Sequence, residues 1–167
     1  MSVIVQCCGG LGNQMFQYAF GRALALDIGT DLKLDISGFE RGGRPLAVNA
    51  FHLSEDASFC GRSPFLPRLK MKLAQKMNKR NIKAFDCCFS DILLEPFPAY
   101  FVPACDFKIR PEKDVFVGGY WQSEGYFVHH ADRIKRDFTL KDESSFFFRM
   151  ERKSFKEYGL FCERPRS

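Results

Sequence analysis

The sequence predicts an α/β fold, an open sheet with helices packed against it, and three stretches carry that expectation. A short apolar run, Val3-Ile4-Val5, passes through Gly9-Gly10-Leu11-Gly12 into a helically periodic stretch from Asn13 to Ile28, the pattern of a strand, a glycine turn and a helix. Leu32-Lys33-Leu34-Asp35-Ile36 alternates as a second strand. Asp114 to Tyr120 runs apolar into Gly118-Gly119 and reads as a buried strand that ends in a turn.

The glycine turn holds three glycines in four positions. Glycine admits positive φ and lets another group approach with no Cβ in the way. The helix that follows opens with unpaired N–H groups and the positive end of its dipole, an arrangement that favours an anion such as a phosphate. Asn13 is expected as its N-cap, and the Gln14 amide can both donate and accept. Phe16, Ala19, Phe20, Ala23 and Leu24 fall on one stripe that would pack on the sheet, Gly29 supplies a stop, and Arg22 reads as a surface or paired arginine. The same glycines also serve a plain tight βα connection. The dinucleotide fingerprint Gly-x-Gly-x-x-Gly fits in part: Gly10 and Gly12 supply its first two glycines, Met15 stands at the third, and Asp35 imitates the ribose-binding acid. A nicotinamide-type cofactor domain is therefore the alternative reading.

Further along, Ser37 to Pro45 is a polar glycine-containing loop whose Arg41 and Arg44 are expected near the cleft, since ligands of open α/β sheets gather at the carboxyl ends of strands. Residues 64–80 read as a basic amphipathic helix with Phe65, Leu69, Leu73 and Met77 on one side. Such a helix either docks by its apolar stripe or lies on an anionic membrane surface. Ala84 to Phe89 is a candidate strand, and prolines then interrupt regular structure from Pro96 to Pro111. Ser123-Glu124 opens a predicted helix to about Phe138, with Phe127 and Ile134 inward. His129 and His130 are adjacent on it, about 100° apart, and read as surface residues unsuited to sharing a metal. Residues 141–167 form a divergent, charged tail with helical potential and a frayed end.

The letters of the glycine turn extend beyond a phosphate loop. Gly9-Gly10-Leu11-Gly12-Asn13-Gln14-Met15-Phe16-Gln17-Tyr18-Ala19 resembles the amino-terminal motif of the bacterial family-11 glycosyltransferases, the α-1,2-fucosyltransferases. Gly119-Tyr120-Trp121-Gln122-Ser123-Glu124 resembles a second segment of that family, about a hundred residues on. The resemblance covers roughly residues 3–140. It implies a Rossmann-like amino-terminal domain of a GT-B type glycosyltransferase over residues 1–140. The family's donor signature, His-x-Arg-Arg-x-Asp, does not occur in the 167 residues, so the carboxyl-terminal donor domain is expected to be absent.

The resemblance further implies transfer of L-fucose from GDP-fucose to the 2-hydroxyl of a galactose-terminated glycan, with inversion. Gly10, Gly12, Asn13, Gln14, Trp121 and Gln122 are the expected donor- and acceptor-binding residues, and Glu124 the candidate base. Trp121 offers a ring face to a sugar, or is a core residue. Glu124 is a base, or merely opens a helix. The sequence contains no Asp-x-Asp, which agrees with a metal-free mechanism and no cofactor. The chain alone is expected to be inactive, a half-site or a non-catalytic glycan-binding module.

Composition bounds these readings. A chain of 167 residues with 46% hydrophobic content is one domain's worth, and 19 Phe make its core aromatic. No apolar run approaches the roughly 20 residues that cross a bilayer, and no secretory start is evident. The net charge of +5 suits a phosphate-bearing partner, while no nucleic-acid module is recognisable. Seven cysteines, among them the adjacent pairs Cys7-Cys8 and Cys87-Cys88 with no Cys-x-x-Cys, read as reduced thiols. The expected location is cytoplasmic, with peripheral contact at the inner membrane face through the basic helix.

Overall fold

The computed structural model describes residues 1–39, 44–61, 65–79, 91–95 and 113–142. They form a mixed α/β fold around a five-stranded, wholly parallel sheet. In chain order the elements are β1 (Ser2–Gln6), α1 (Leu11–Ile28), β2 (Asp31–Asp35), β3 (Ala57–Cys60), α2 (Phe65–Lys79), β4 (Ile92–Leu94), β5 (Val115–Gly118) and α3 (Ala131–Asp137). Three short 3-10 turns, Val48–Ala50, Glu124–Tyr126 and Val128–His130, join them.

The strand order is β3-β2-β1-β5-β4. The chain therefore runs outward from β1 through β2 and β3, then crosses to the far edge at β4 and returns inward to β5, beside β1. The crevice outside the carboxyl ends of β1 and β5 is the topological switch point, the place where open parallel sheets bind ligands. Parallel strands are covered on both faces, and Val3, Val5, Leu32, Leu34, Val115 and Val117 are all buried. The short edge strand β3 is largely exposed, as edge strands commonly are kept.

Helix α1 departs from the expected single apolar stripe. It begins at Leu11, with Gly10 rather than Asn13 as its N-cap, and is buried almost continuously from Gln14 to Ala25. Gly21 marks its closest approach to the sheet: a Cβ there would collide with Val5 Cγ2 and come within 2.9 Å of Leu32 Cδ1. The opposite side is covered too, because Ala19 and Ala23 pack against Ile134 of α3, and Phe20 stacks on Trp121 with centroids 4.0 Å apart. Gly29, at φ 66°, closes the helix as expected, its N–H reaching Ala25 and Leu26 carbonyls.

The predicted helix from Ser123 to Phe138 is instead two 3-10 turns followed by α3. Gly125 and the aromatic docking of Tyr126 and Phe127 onto α1 break it into short turns, although Ile134 does point inward. His129 and His130 consequently do not diverge as on an α-helix, and both imidazoles reach Asp27. In α2 the inward face is Met71 and Ala74, packed toward β4 and β5, while Leu69 and Leu73 are 43% and 48% exposed. The predicted strand at 84–89, the loop residue Arg41 and the tail from 143 onward lie outside the described residues.

One substitution tests the close helix–sheet approach. Gly→Ala inside a helix ordinarily stabilises by about 1 kcal/mol. Gly21→Ala is expected to reverse that sign, since forcing a methyl into a full interface costs about 1–3 kcal/mol. Chemical denaturation should show a lowered midpoint, partly restored by adding Val5→Ala.

Candidate functional site

The two motifs identified from sequence meet at the switch point. β1 delivers Gly9 and Gly10 to its carboxyl end, where Gly9 takes φ 80° and a Cβ would lie 2.5 Å from Asn13 Nδ2. β5 delivers Gly119, Tyr120 and Trp121 to the adjoining end. Across the crevice Gln122 Nε2 donates to Asn13 Oδ1 at 2.7 Å, joining positions 109 residues apart. Gln122 is exposed and Asn13 half-buried.

No side chain caps the N-terminus of α1 and no acidic residue stands in its first turn, so its leading N–H groups and positive dipole face the crevice. Gly12 has open space where a Cβ would stand. Arg44, at the end of the following loop, arches over Gly10, its guanidinium 3.1 Å from where that residue's Cβ would be. The crevice thus combines backbone donors, a guanidinium and two side-chain amides, a set able to hold a polar, anionic ligand.

Gln14 and Trp121 stand behind this surface. Gln14 is fully buried. Its Nε2 donates to the Gly9 and Pro45 carbonyls at 2.9 and 3.0 Å, and its Oε1 accepts from Ala47 and Val48 N–H at 2.8 and 3.0 Å. That uses the whole capacity of a side-chain amide and ties the glycine turn to the loop bearing Arg44. Trp121 is also fully buried, with Phe20 stacked on it and Tyr126 edge-on at 5.2 Å. Glu124 is exposed and opens a 3-10 turn two residues beyond Gln122.

Three residues not singled out from sequence, Gln17, Glu95 and Tyr120, complete the geometry. Gln17, fully buried, accepts from Cys8 N–H at 3.0 Å and donates to the Gly119 carbonyl at 2.9 Å, stitching the end of β1 to the end of β5. Glu95, just past β4, accepts from Tyr120 and Trp121 N–H at 2.8 and 3.0 Å. Its carboxylate holds a turn in which Gly119 has φ 145° and Trp121 φ 57°, a left-handed conformation uncommon for a large side chain. This turn leaves Tyr120 47% exposed beside the crevice. Gln17 lies in the quoted motif, so a buried glutamine three residues after another was a readable signal. Glu95 follows a three-residue strand that has no periodic signature.

Other titratable groups near the site are structural. Burial pushes the Cys7 thiol up to about 12, so it is not a thiolate nucleophile near neutral pH. Burial likewise raises the Tyr18 hydroxyl, which donates to Asp137 Oδ2 at 2.7 Å and accepts from Ser54 N–H at 3.1 Å. Asp35 bonds forward through Oδ1 to Ser37 N–H at 2.9 Å. Arg22, expected as surface or paired, is buried and paired, with Asp56 at 3.3 Å and Asp137 at 3.5 Å.

Gln14→Leu keeps the approximate volume but strands the Ala47 and Val48 donors. Unmade bonds to buried groups cost about 1–3 kcal/mol each, so a loss of roughly 2–4 kcal/mol is expected in denaturant titration.

Among proteins of known function, the chain is similar to the alpha-1,2-colitosyltransferase of Escherichia coli. The two are 27% identical over 154 residues, which cover 83% of this chain and 46% of the relative. The chain thus spans about half the length of the curated relative it matches. No family model and no solved structure matches the sequence. At this identity and coverage the likeness suggests a relationship to that glycosyltransferase.

Proposed function

We propose that the chain forms the acceptor-side half of an inverting glycosyltransferase that moves L-fucose, or a closely related deoxy sugar such as colitose, from a GDP-linked donor to the 2-hydroxyl of a galactoside. The observation that carries this reading is the 2.7 Å bond between Gln122 and Asn13. It joins the two segments that resemble the fucosyltransferases at the one edge of the sheet built for ligands. The similarity to a colitosyltransferase supports the same chemistry.

In this reading the acceptor 2-hydroxyl attacks the anomeric carbon while the bond to the diphosphate breaks on the opposite face. The hydroxyl proton passes to Glu124, which is exposed and about 7 Å or less along the chain from Gln122. The first-turn N–H groups at Gly10 and Gly12, with Arg44, offset charge on the departing GDP. Asn13 and Gln122 exchange their mutual bond for bonds to sugar hydroxyls, and the exposed Tyr120 ring offers an apolar face to a pyranose. Gln14 and Trp121 position that surface from behind. No metal or cofactor is assigned a step. Residues 1–140 form the glycosyltransferase domain and 141–167 a divergent tail.

A peripheral membrane contact is a second proposal, favoured by the exposed Leu69 and Leu73 beside Lys72 and Lys76 on α2. No helix of the described residues is long and apolar enough to cross a membrane. Flotation with anionic vesicles should recover the chain in the lipid fraction, and Leu69→Ser/Leu73→Ser should release it. The proposed site is cytoplasmic, at the inner face of the membrane.

Transfer assays on the purified chain with GDP-fucose and lactose are expected to show no turnover, because His-x-Arg-Arg-x-Asp is not among its residues. Saturation-transfer NMR should nonetheless detect lactose and GDP-fucose at millimolar concentration, with both signals lowered by Asn13→Ala and the nucleotide signal by Arg44→Gln. Gly12→Ala separates fold from site. It should stabilise the helix by about 0.5–1 kcal/mol while weakening nucleotide contact. Binding of NADH in place of both sugars would favour the nicotinamide alternative and sink the transferase reading.

A further inference from the structure

A second cluster of chemistry-bearing side chains lies at the far end of α1. Asp27 stands in the last turn of that helix, about 21 Å from Asn13 at 1.5 Å per residue, and so outside the crevice. The 3-10 turn Val128–His130 brings two imidazoles to it. His129 Nε2 lies 3.1 Å from Asp27 Oδ2, and His130 Nε2 lies 2.8 Å from Asp27 Oδ1. The two rings are 4.5 Å apart between centroids. One donor atom from each of the three residues lies within 4.8 Å of the other two.

We propose that Asp27, His129 and His130 bind a zinc-class divalent cation. Two imidazole nitrogens and one carboxylate oxygen suit zinc, cobalt, nickel or copper far better than magnesium or calcium, which require more oxygen ligands. Tetrahedral zinc with bonds near 2.0–2.1 Å holds neighbouring donor atoms about 3.3 Å apart. The two imidazole–carboxylate separations, 3.1 and 2.8 Å, lie within about half an ångström of that value, and the three donor atoms, within 4.8 Å of one another, converge further by side-chain rotation. Asp27 and His129 are exposed and His130 half-buried, so an ion can enter from solvent and keep an open coordination position. The two histidines also line a cavity of about 370 Å³ together with Asp132, Arg133 and Arg136. The two guanidiniums outweigh the one carboxylate, which favours an anion or hydroxide beside the metal. The ion would rivet the end of α1 to the segment that returns from the crevice, since Asp27 and the histidines are about a hundred residues apart.

Metal-stripped chain titrated with zinc at pH 7.5 against a chromophoric chelator should bind one equivalent that is weakened at least about tenfold by His129→Gln/His130→Gln and by Asp27→Asn. Magnesium should not compete, and His52→Gln, altered at an exposed histidine elsewhere, should bind as the parent does. Circular dichroism verifies that each variant is folded. Cobalt should give visible d–d bands without a thiolate charge-transfer band, the mark of a cysteine site in a chain with seven thiols. Absence of binding, affinity retained in both ligand variants, or a thiolate band from the cobalt complex would each overturn the proposal and reduce the cluster to an ion pair. None of these outcomes bears on sugar transfer, which is tested separately.

Discussion

A helix with no exposed face cannot carry an unpaired polar side chain, and this constraint organises the molecule. From Gln14 to Ala25 α1 is buried apart from the half-buried Met15 and Phe16, and Gln14, Gln17, Tyr18 and Arg22 recur on it at helical spacing. Water does not reach them, so each must find its partners within the chain. Gln14 takes the loop at Pro45–Val48, Gln17 the turn after β5, Tyr18 the backbone at Ser54 together with Asp137, and Arg22 the carboxylates of Asp56 and Asp137. Four side chains on one helix thereby tie down the described connections at Pro45–Val48, at Ser54–Asp56, after β5 and at the end of α3. The packing of small residues lets this happen: Gly21 sets the helix onto Val5 and Leu32, while Ala19 and Ala23 admit Ile134 from the other side.

The same logic explains why the crevice has a rigid rear wall and an adaptable front. Behind it, Gln14 is saturated and Trp121 is sandwiched in aromatic contacts. The Glu95 carboxylate holds a turn whose φ values would otherwise be unfavourable. In front, Asn13, Gln122, Tyr120, Glu124 and Arg44 are exposed or half-exposed, free to change partners as a ligand arrives. A buried scaffold that fixes the backbone, with exchangeable amides at its surface, is how positional accuracy and binding coexist in one loop cluster.

Much of this was legible in the letters, and the failures share a cause. The strand, glycine turn and helix at the amino terminus, β2, and β5 ending in glycines all have local signatures of adequate length. Two blocks of specific sequence predicted the pair of segments that the fold brings together. β3 and β4 are four and three residues long, too short for alternation to register. The helix expected from Ser123 broke because its aromatics dock on α1, a tertiary effect that periodicity does not encode. The stripe read on α2 placed Leu69 and Leu73 inward, yet Met71 and Ala74 face β4 and β5. A helix with apolar residues on two faces, Leu69 with Leu73 and Met71 with Ala74, leaves the sheet, not the pattern, to decide which way it turns. Arg22 and Gln14 were ambiguous for the same reason: a polar side chain's burial depends on partners far away in the chain.

The chain's sole tryptophan is Trp121, which sits at the base of the crevice with Phe20 flat against it and Tyr126 at its edge. That makes the indole a native optical gauge. Its emission reports one location without label or engineering, and any rearrangement of the floor beneath Asn13 and Gln122 must alter the dielectric or the quenching it experiences. Unfolding, ligand entry and approach of another domain could be followed in solution from a single wavelength, each read at the spot where the chemistry would happen.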